Sequence, residues 1–449
     1  MPDSVKTDDP TPDPLVSQGN SKALWTILFI VFMDLLGFGI ILPQLPFYAL
    51  RYKVSPVQVG LLFSIYSICQ FLAAPILGVI SDRYGRKPVL VFSQAGSAIG
   101  YALLGLVTQL NMPNAIAAMA LIYLARIIDG ISGGNISTAQ AYISDVTTPE
   151  TRAKGMGLLG AAFGIGFAVG PILGGLIGND TNHASWPAFA AGGFSLLAMC
   201  LSALWLPESH SDRPVNEEVW LHPSRFKPII TQPVLFQLLL TSFLAMTAFT
   251  MMEGTIAEYL HARFTFGPSH TPYGMRQTSY YFAYIGVFIM YVQGRLMGQL
   301  VKKFGEWAVS IAGASIVTVG MAAYFCTDLK PVLPLLLIAG AINAIGRSLQ
   351  QPPIASLISK ISKRSEQGTV FGLYHGLGSL ARALGPLIAN AVYANIHITA
   401  QFVVAGVFTA TVAVWMTRLS RAKPVTAQGF EVIVPPDQSP LAEATLEST

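Results

Sequence analysis

Asp34 and Arg126 are a carboxylate and a guanidinium stranded in apolar sequence. Asp34 lies in Phe32-Met33-Asp34-Leu35-Leu36-Gly37, about 16 Å into its run at roughly 1.5 Å per helical residue. Arg126, counted from the opposite end of its own run, lies about 18 Å deep. A bilayer's hydrocarbon core is about 30 Å thick, so both stand near its centre, where a charge must face a partner or a wet cavity. Such a pair could carry a proton: the guanidinium favours the ionised carboxylate in a closed site, and exposure to an acidic solution lets it protonate. It could also be a static ion pair that fixes helix packing. Asp129, one helical turn beyond Arg126, could compete for the same guanidinium.

The second half of the chain carries its own polar set within apolar runs: Glu253, Glu258, Arg295, Arg347, His375 and Arg382. Asp34 to Glu253 is 219 residues and Arg126 to Arg347 is 221, which suggests a mirrored pair. Depth speaks against direct contact, since Glu253 is about 28 Å from one end of its run and Arg347 about 20 Å from the other. Glu253, Arg347 and Arg382 are read as polar residues of a substrate cavity. His375 and Arg382, seven apart, share a helix face. His375 titrates in a useful range, which makes it a candidate for proton coupling beside a plain packing role. Arg295 is expected to reach along its stem to the membrane surface.

These residues need membrane helices to hold them. Only 11% of the 449 residues are charged and 52% are hydrophobic, against about 25% charged in a soluble domain. Apolar runs at about 23–46, 57–80, 88–108, 114–144, 153–178, 186–206, 234–260, 277–301, 308–327, 331–359, 367–393 and 399–420 predict twelve spans. The expected architecture is an all-α membrane protein of twelve transmembrane helices in two pseudo-symmetric six-helix bundles, 23–206 and 234–420. A cytoplasmic linker at 207–233 joins them, and disordered cytoplasmic tails are expected at 1–22 and 421–449. Of the 27 Lys and Arg, 18 fall on the side of the termini, five on the other side and four within spans, which puts both termini in the cytoplasm. Cys69, Cys200 and Cys326 lie in apolar runs, and an odd count of such thiols argues against a disulfide framework. The basic residues are scattered over separate loops, so nucleic acid is not an expected partner. No phosphate-binding G-x-x-x-x-G-K-[ST] run, no H-E-x-x-H metal site and no cofactor motif occurs, and no enzyme is expected.

Two motifs organise the spans. Gly78-Val79-Ile80-Ser81-Asp82-Arg83-Tyr84-Gly85-Arg86-Lys87 reads as a short basic loop between two helices. Asp82 could accept hydrogen bonds from a neighbouring helix end. A weaker copy follows 220 residues later around Gly298, Lys302 and Gly305, and together the two loops would latch the bundles. In the second motif Gly166, Gly170 and Gly174 make a four-spaced ridge for tight helix contact, beside Pro171 and Gly175. Gly170-Pro171 recurs as Gly385-Pro386 after 215 residues, as expected of a duplicated unit.

The loop order G-x-x-x-D-R-x-G-R-K resembles that between the second and third helices of major facilitator superfamily transporters. The run G-x-x-x-G-P-x-x-G-G resembles the fifth-helix motif of the superfamily's drug/proton antiporters. With Asp34 and Arg126, residues 24–420 resemble the tetracycline-pump branch. The resemblance carries over to Asp34, Asp82, Arg83, Arg126, Asp145, Arg152 and Gly170-Pro171, and it implies that substrate binds between the two halves. One position departs: tetracycline pumps carry a drug-contacting acid in the third helix, and Gly100 stands there, which weighs against tetracycline itself. The expected function is a monomeric, proton-coupled antiporter of the inner membrane that exports a small organic compound by alternating access. Asp34, Arg126, Asp129 and His375 are the coupling candidates. The alternatives are a proton symporter or facilitator for uptake of a sugar, organic acid or peptide, and a non-transporting receptor or scaffold.

Overall fold

Without water to satisfy N–H and C=O groups, a chain this apolar can cross lipid only as helices that bond their own backbone. The computed structural model describes residues 14–178, 184–209, 231–267, 270–362 and 367–421. Six helices make the first half: α1 (Pro14–Ile41), α2 (Pro56–Tyr84), α3 (Arg86–Leu110), α4 (Ala115–Val146), α5 (Pro149–Ile177) and α6 (Trp186–Trp205). In the second half α7 (Pro233–Arg263) and a two-stranded hairpin (Thr265–Phe266, Thr271–Pro272) lead to α8 (275–304) and α9 (306–329). Then come α10 (Leu333–Ile361), α11 (Gln367–Asn395) and α12 (Ala400–Arg421). A bend at Gly305 alone separates α8 from α9, and the helical stretch Met275–Leu329 of 55 residues is about twice what one crossing needs.

The first helix already runs from Pro14, where the described residues begin, rather than from residue 23. It stops at Ile41, because Pro43 has no N–H to continue it, and a short helix, Leu45–Leu50, follows. The expected tails and linker otherwise lie largely outside the described residues. Both expected latch loops contract to one glycine each, Gly85 at φ +99° and Gly305 at φ +77°, a left-handed backbone that disfavours any other residue. Asp82 and Arg83 therefore sit in the last turn of α2, and Arg86 and Lys87 in the first turn of α3.

Adding six to each helix number turns one half's packing into the other's. The contacts α1·α5, α1·α6, α3·α6, α3·α4 and α2·α4 recur as α7·α11, α7·α12, α9·α12, α9·α10 and α8·α10. The halves meet along α2·α11 and α5·α8, which obey the same rule. The glycine motif explains the tightest of these contacts. A Cβ on Gly39 would stand 2.7 Å from the Gly166 carbonyl, one on Gly170 2.7 Å from Gly39, and one on Gly174 3.0 Å from the Ile40 carbonyl. The ridge thus lays α5 backbone against α1 just past Asp34. In the second half a Cβ on Gly385 would overlap the Thr250 hydroxyl, and Gly254 leaves room for Pro386. Gly39→Ala is expected to cost about 1–3 kcal/mol of stability. Gly157→Ala, whose Cβ would meet nothing within 4 Å, is expected to be neutral or mildly stabilising. Thermal unfolding of the two purified variants checks this, and a wild-type midpoint for Gly39→Ala would refute the contact.

Candidate functional site

Arg126 does not reach Asp34. Its Nη1 donates to Asp129 Oδ2 at 2.6 Å, within α4, and both side chains are 3% exposed. The expected partner is displaced by the nearer competitor: Asp129 sits one turn along the same helix, so no second helix has to be positioned. The guanidinium lies over the Tyr66 ring at 4.3 Å and its Nε donates to the Leu62 carbonyl at 3.4 Å, both on α2. The hydroxyls of Ser97 and Tyr101 on α3 serve the Asp129 carboxylate. Gly100 lies between these two residues, and a Cβ there would be 3.0 Å from the Ala125 carbonyl and 3.1 Å from Asp129 Cβ. Position 100 has no room for an acid, and the carboxylate at that place is supplied by α4.

Asp34 is left without a cation among the described residues, with the Asp129 carboxylate within electrostatic reach. It is half-buried and accepts a 3.4 Å hydrogen bond from Asn135 Nδ2, which the 3-10 turn Gly133–Asn135 in α4 points at it. Among the described residues it forms no ion pair. It lines a small pocket with Val31, Leu35, Leu90, Gln94 and Asn135, whose free volume of about 10 Å³ suits a single water. Asp34 therefore faces a small, mostly apolar pocket whose other polar groups are Gln94 and Asn135, neither lipid nor Arg126.

In the second half Arg347 lies over the Phe249 ring at 3.0 Å, with Met246 Sδ at 3.8 Å. Arg382 donates to Ser379 Oγ at 2.8 Å and, across the seam between the halves, to Gln70 Oε1 at 3.4 Å. Gln70 in turn donates to the Gly133 carbonyl and to the Tyr66 hydroxyl. Glu253 lies within electrostatic reach of both arginines but, as its depth implied, pairs with neither among the described residues. His375 packs against the Phe371 and Tyr374 rings, the packing role open to it. Arg295 is exposed, in a π-helical turn, Val292–Leu296. Glu258 is 4% exposed and its Oε1 has no hydrogen-bond partner.

The seam is closed at one end and open at the other. Away from the latches, Gln44 donates to Ser279 at 2.5 Å, Ser64 to the Ala383 carbonyl at 2.5 Å, and Arg276 to the Gly175 carbonyl at 3.3 Å. A Cβ on Gly286 would be 2.7 Å from Ala168, and one on Gly60 2.8 Å from the Pro386 carbonyl. Towards the latches contact fades: Gly376 still faces Phe71 at 3.3 Å, whereas Gly78, Gly157, Gly160, Gly298 and Gly372 face open space. A cleft thus opens between the halves on the latch side. Half-buried Glu253, Arg347 and Arg382 stand at its depth.

The latches tie helices within each half. Arg86 binds Asp82 at 2.5 Å and Asp145, at the end of α4, at 3.3 Å. Asp82 thus serves Arg86 within its own motif instead of a neighbouring helix end. The Glu208 carboxylate, just beyond α6, accepts the backbone N–H groups of Arg86 at 2.8 Å and Lys87 at 3.1 Å. This cap offsets the poor placement of two cations at the positive end of α3. Gly85 is needed twice, since a Cβ there would also collide with Glu208. In the second latch Glu306 binds Lys360, with the Ser356 hydroxyl at 3.3 Å. Glu306 lies 220 residues after Arg86 and Lys360 lies 215 after Asp145, so the repeat keeps the tie and inverts its charges. Lys302 is exposed, Arg83 stacks at 5.6 Å on Tyr84, and the Arg152 side chain lies outside the described residues.

Spacing alone did not reveal Gln70, Tyr66, Asn135 and Glu208. Tyr66, Gln70 and Asn135 were visible as polar groups in apolar turns or beside a Gly-Gly pair, and Glu208 as one of several acids in the linker, without depth or partners to rank them.

Comparison with known proteins bears on this geometry. The family model described as Major Facilitator Superfamily matches residues 27–330 and 296–445. The chain is 32% identical over 384 residues to the class C tetracycline resistance protein of Escherichia coli, covering 84% of this chain and 90% of that one. It is 27% identical to multidrug resistance protein 1 of Bacillus subtilis (strain 168), covering 82% and 88%. Among solved structures, the human organic anion transporter MFSD10 (TETRAN) aligns with a TM-score of 0.63 and 25% identity, covering 88% of this chain and 99% of that one.

Removing one member of the sealed ion pair leaves an uncompensated buried charge. Arg126→Met and Asp129→Leu are each expected to cost about 3–5 kcal/mol, whereas the two together recover much of that loss. A thermal unfolding cycle over the three variants tests the pairing, and additive losses would exclude it.

Proposed function

This chain belongs to the Major Facilitator Superfamily, and on that footing we propose that it is a proton-coupled antiporter that exports a small organic compound. It is an integral, multi-pass membrane transporter of small molecules rather than an enzyme. The observation that carries the finer reading is Asp34: a carboxylate deep in α1, without a cation among the described residues, beside a water-sized pocket and next in sequence to Leu35, on which the glycine ridge of α5 packs. A group so placed can take and release a proton according to which side reaches the pocket. Because α5 also lines the seam against α8, a change at the seam bears on the α1·α5 contact next to Asp34.

The positive-inside bias supports a cytoplasmic position for the latches and both termini, and the membrane is taken as the plasma membrane. The cleft then faces inward, ready to load substrate from the cell, and rocking of the halves about α2·α11 and α5·α8 would present it outside. Relatives that confer tetracycline and multidrug resistance favour export over uptake. The working unit is taken as a monomer, since each chain holds a complete cleft.

Asp34→Asn is expected to insert normally yet abolish substrate-driven proton movement in inverted vesicles, read with a pH-sensitive dye during export. Undiminished coupling would remove Asp34 from the mechanism, and substrate moving down the proton gradient would turn the reading to symport.

A further inference from the structure

Two of the deep arginines have no carboxylate of their own. Arg126 is neutralised by Asp129 in a sealed site, but Arg347 and Arg382 form no ion pair among the described residues. Neutral groups hold them instead: the Phe249 ring and Met246 sulfur for Arg347, and the Ser379 hydroxyl and Gln70 carbonyl oxygen for Arg382. The two lie within electrostatic reach of each other and of the Tyr374 phenol. Glu253 is the single carboxylate that both feel. Two guanidiniums against one acid leave an excess positive charge at mid-depth, where uncompensated charge is costly. All three side chains are half-buried at the head of the open cleft, so a ligand entering from the latch side reaches them.

We infer that Arg347 and Arg382 form an anion subsite of the transport cleft, selecting an aromatic organic acid whose carboxylate bridges the two guanidiniums. Guanidinium is suited to this role, since its planar N–H fork matches a carboxylate. The flat body of the ligand meets Phe249, Tyr374 and Phe371, with His375 closing the ring cluster one face away. Glu253 competes with the ligand for the same two cations and limits its affinity. The proposal rests on the transporter reading and adds the charge class of its substrate, which is independent of whether Asp34 carries the proton.

The test uses the full-length protein in nanodiscs and two dyes of related ring system, anionic fluorescein and cationic rhodamine 6G, with binding read by fluorescence anisotropy. Fluorescein is expected to bind about tenfold tighter or better than rhodamine 6G. Arg347→Gln and Arg382→Gln should each weaken fluorescein by about tenfold or more without weakening rhodamine 6G. Arg382→Lys, which keeps the charge and loses the fork, should fall between wild type and Arg382→Gln, and Glu253→Gln should tighten fluorescein. Equal or tighter binding of rhodamine 6G, binding of neither dye, or unchanged fluorescein affinity in folded Arg→Gln variants would overturn the subsite. Charge-selective binding without proton-coupled movement of the bound dye would keep the subsite and overturn antiport instead.

Discussion

A guanidinium buried at the middle of a membrane protein requires a counter-charge, and in the first half Arg126 obtains one from its own helix. The pairing with Asp129 needs no alignment of separate helices, and with both side chains 3% exposed it is walled off from the cleft. Everything nearby follows from that economy. Tyr66, Ser97 and Tyr101 surround the pair, Gly100 gives up its side chain so that α3 can approach α4, and among the described residues no cation pairs with Asp34.

The second half shows what happens where no such partner is built in. Arg347 and Arg382 rest on a ring, a sulfur, a hydroxyl and an amide, none of which cancels charge. The asymmetry is notable because the packing itself is so regular: every principal contact of the first half recurs six helices later. The duplicated frame supplies one scaffold to each half, one with its ion pair closed and the other with cations left exposed to the cleft. The latches show the same freedom at lower stakes. Arg86 with Asp145 and Glu306 with Lys360 occupy equivalent places with opposite signs, since a tie between two helix ends needs complementary charges but not a particular polarity.

Much of this was legible in the chain. Bilayer thickness dictates run length, so the twelve spans could be counted, and α1 ends short of the expected residue 46 because Pro43 cannot continue it. The glycine ridge was readable because a four-residue spacing on one helix face has one use in lipid, close backbone approach. Its partner, Gly39 on α1, was not, since a ridge does not say which helix lies across it. Depth arithmetic argued against a direct pair between Glu253 and Arg347, and among the described residues none forms, although the two lie within electrostatic reach. The same arithmetic placed Asp34 and Arg126 at one level and suggested a contact that does not form, because equal depth leaves the azimuth of each side chain undetermined.

The sequence by itself determined the class of solvent the chain lives in, the number of crossings, the duplicated plan and the positions where a side chain must be absent. These are properties of runs and spacings, which local physics reads directly. Only the tertiary structure decided which charge meets which: Arg126 with Asp129, Glu208 over the start of α3, Gln70 reaching Arg382 across the seam. Electrostatic pairing depends on distances of a few ångströms between groups far apart in the chain, and those distances exist only once helices have chosen their neighbours and their rotation.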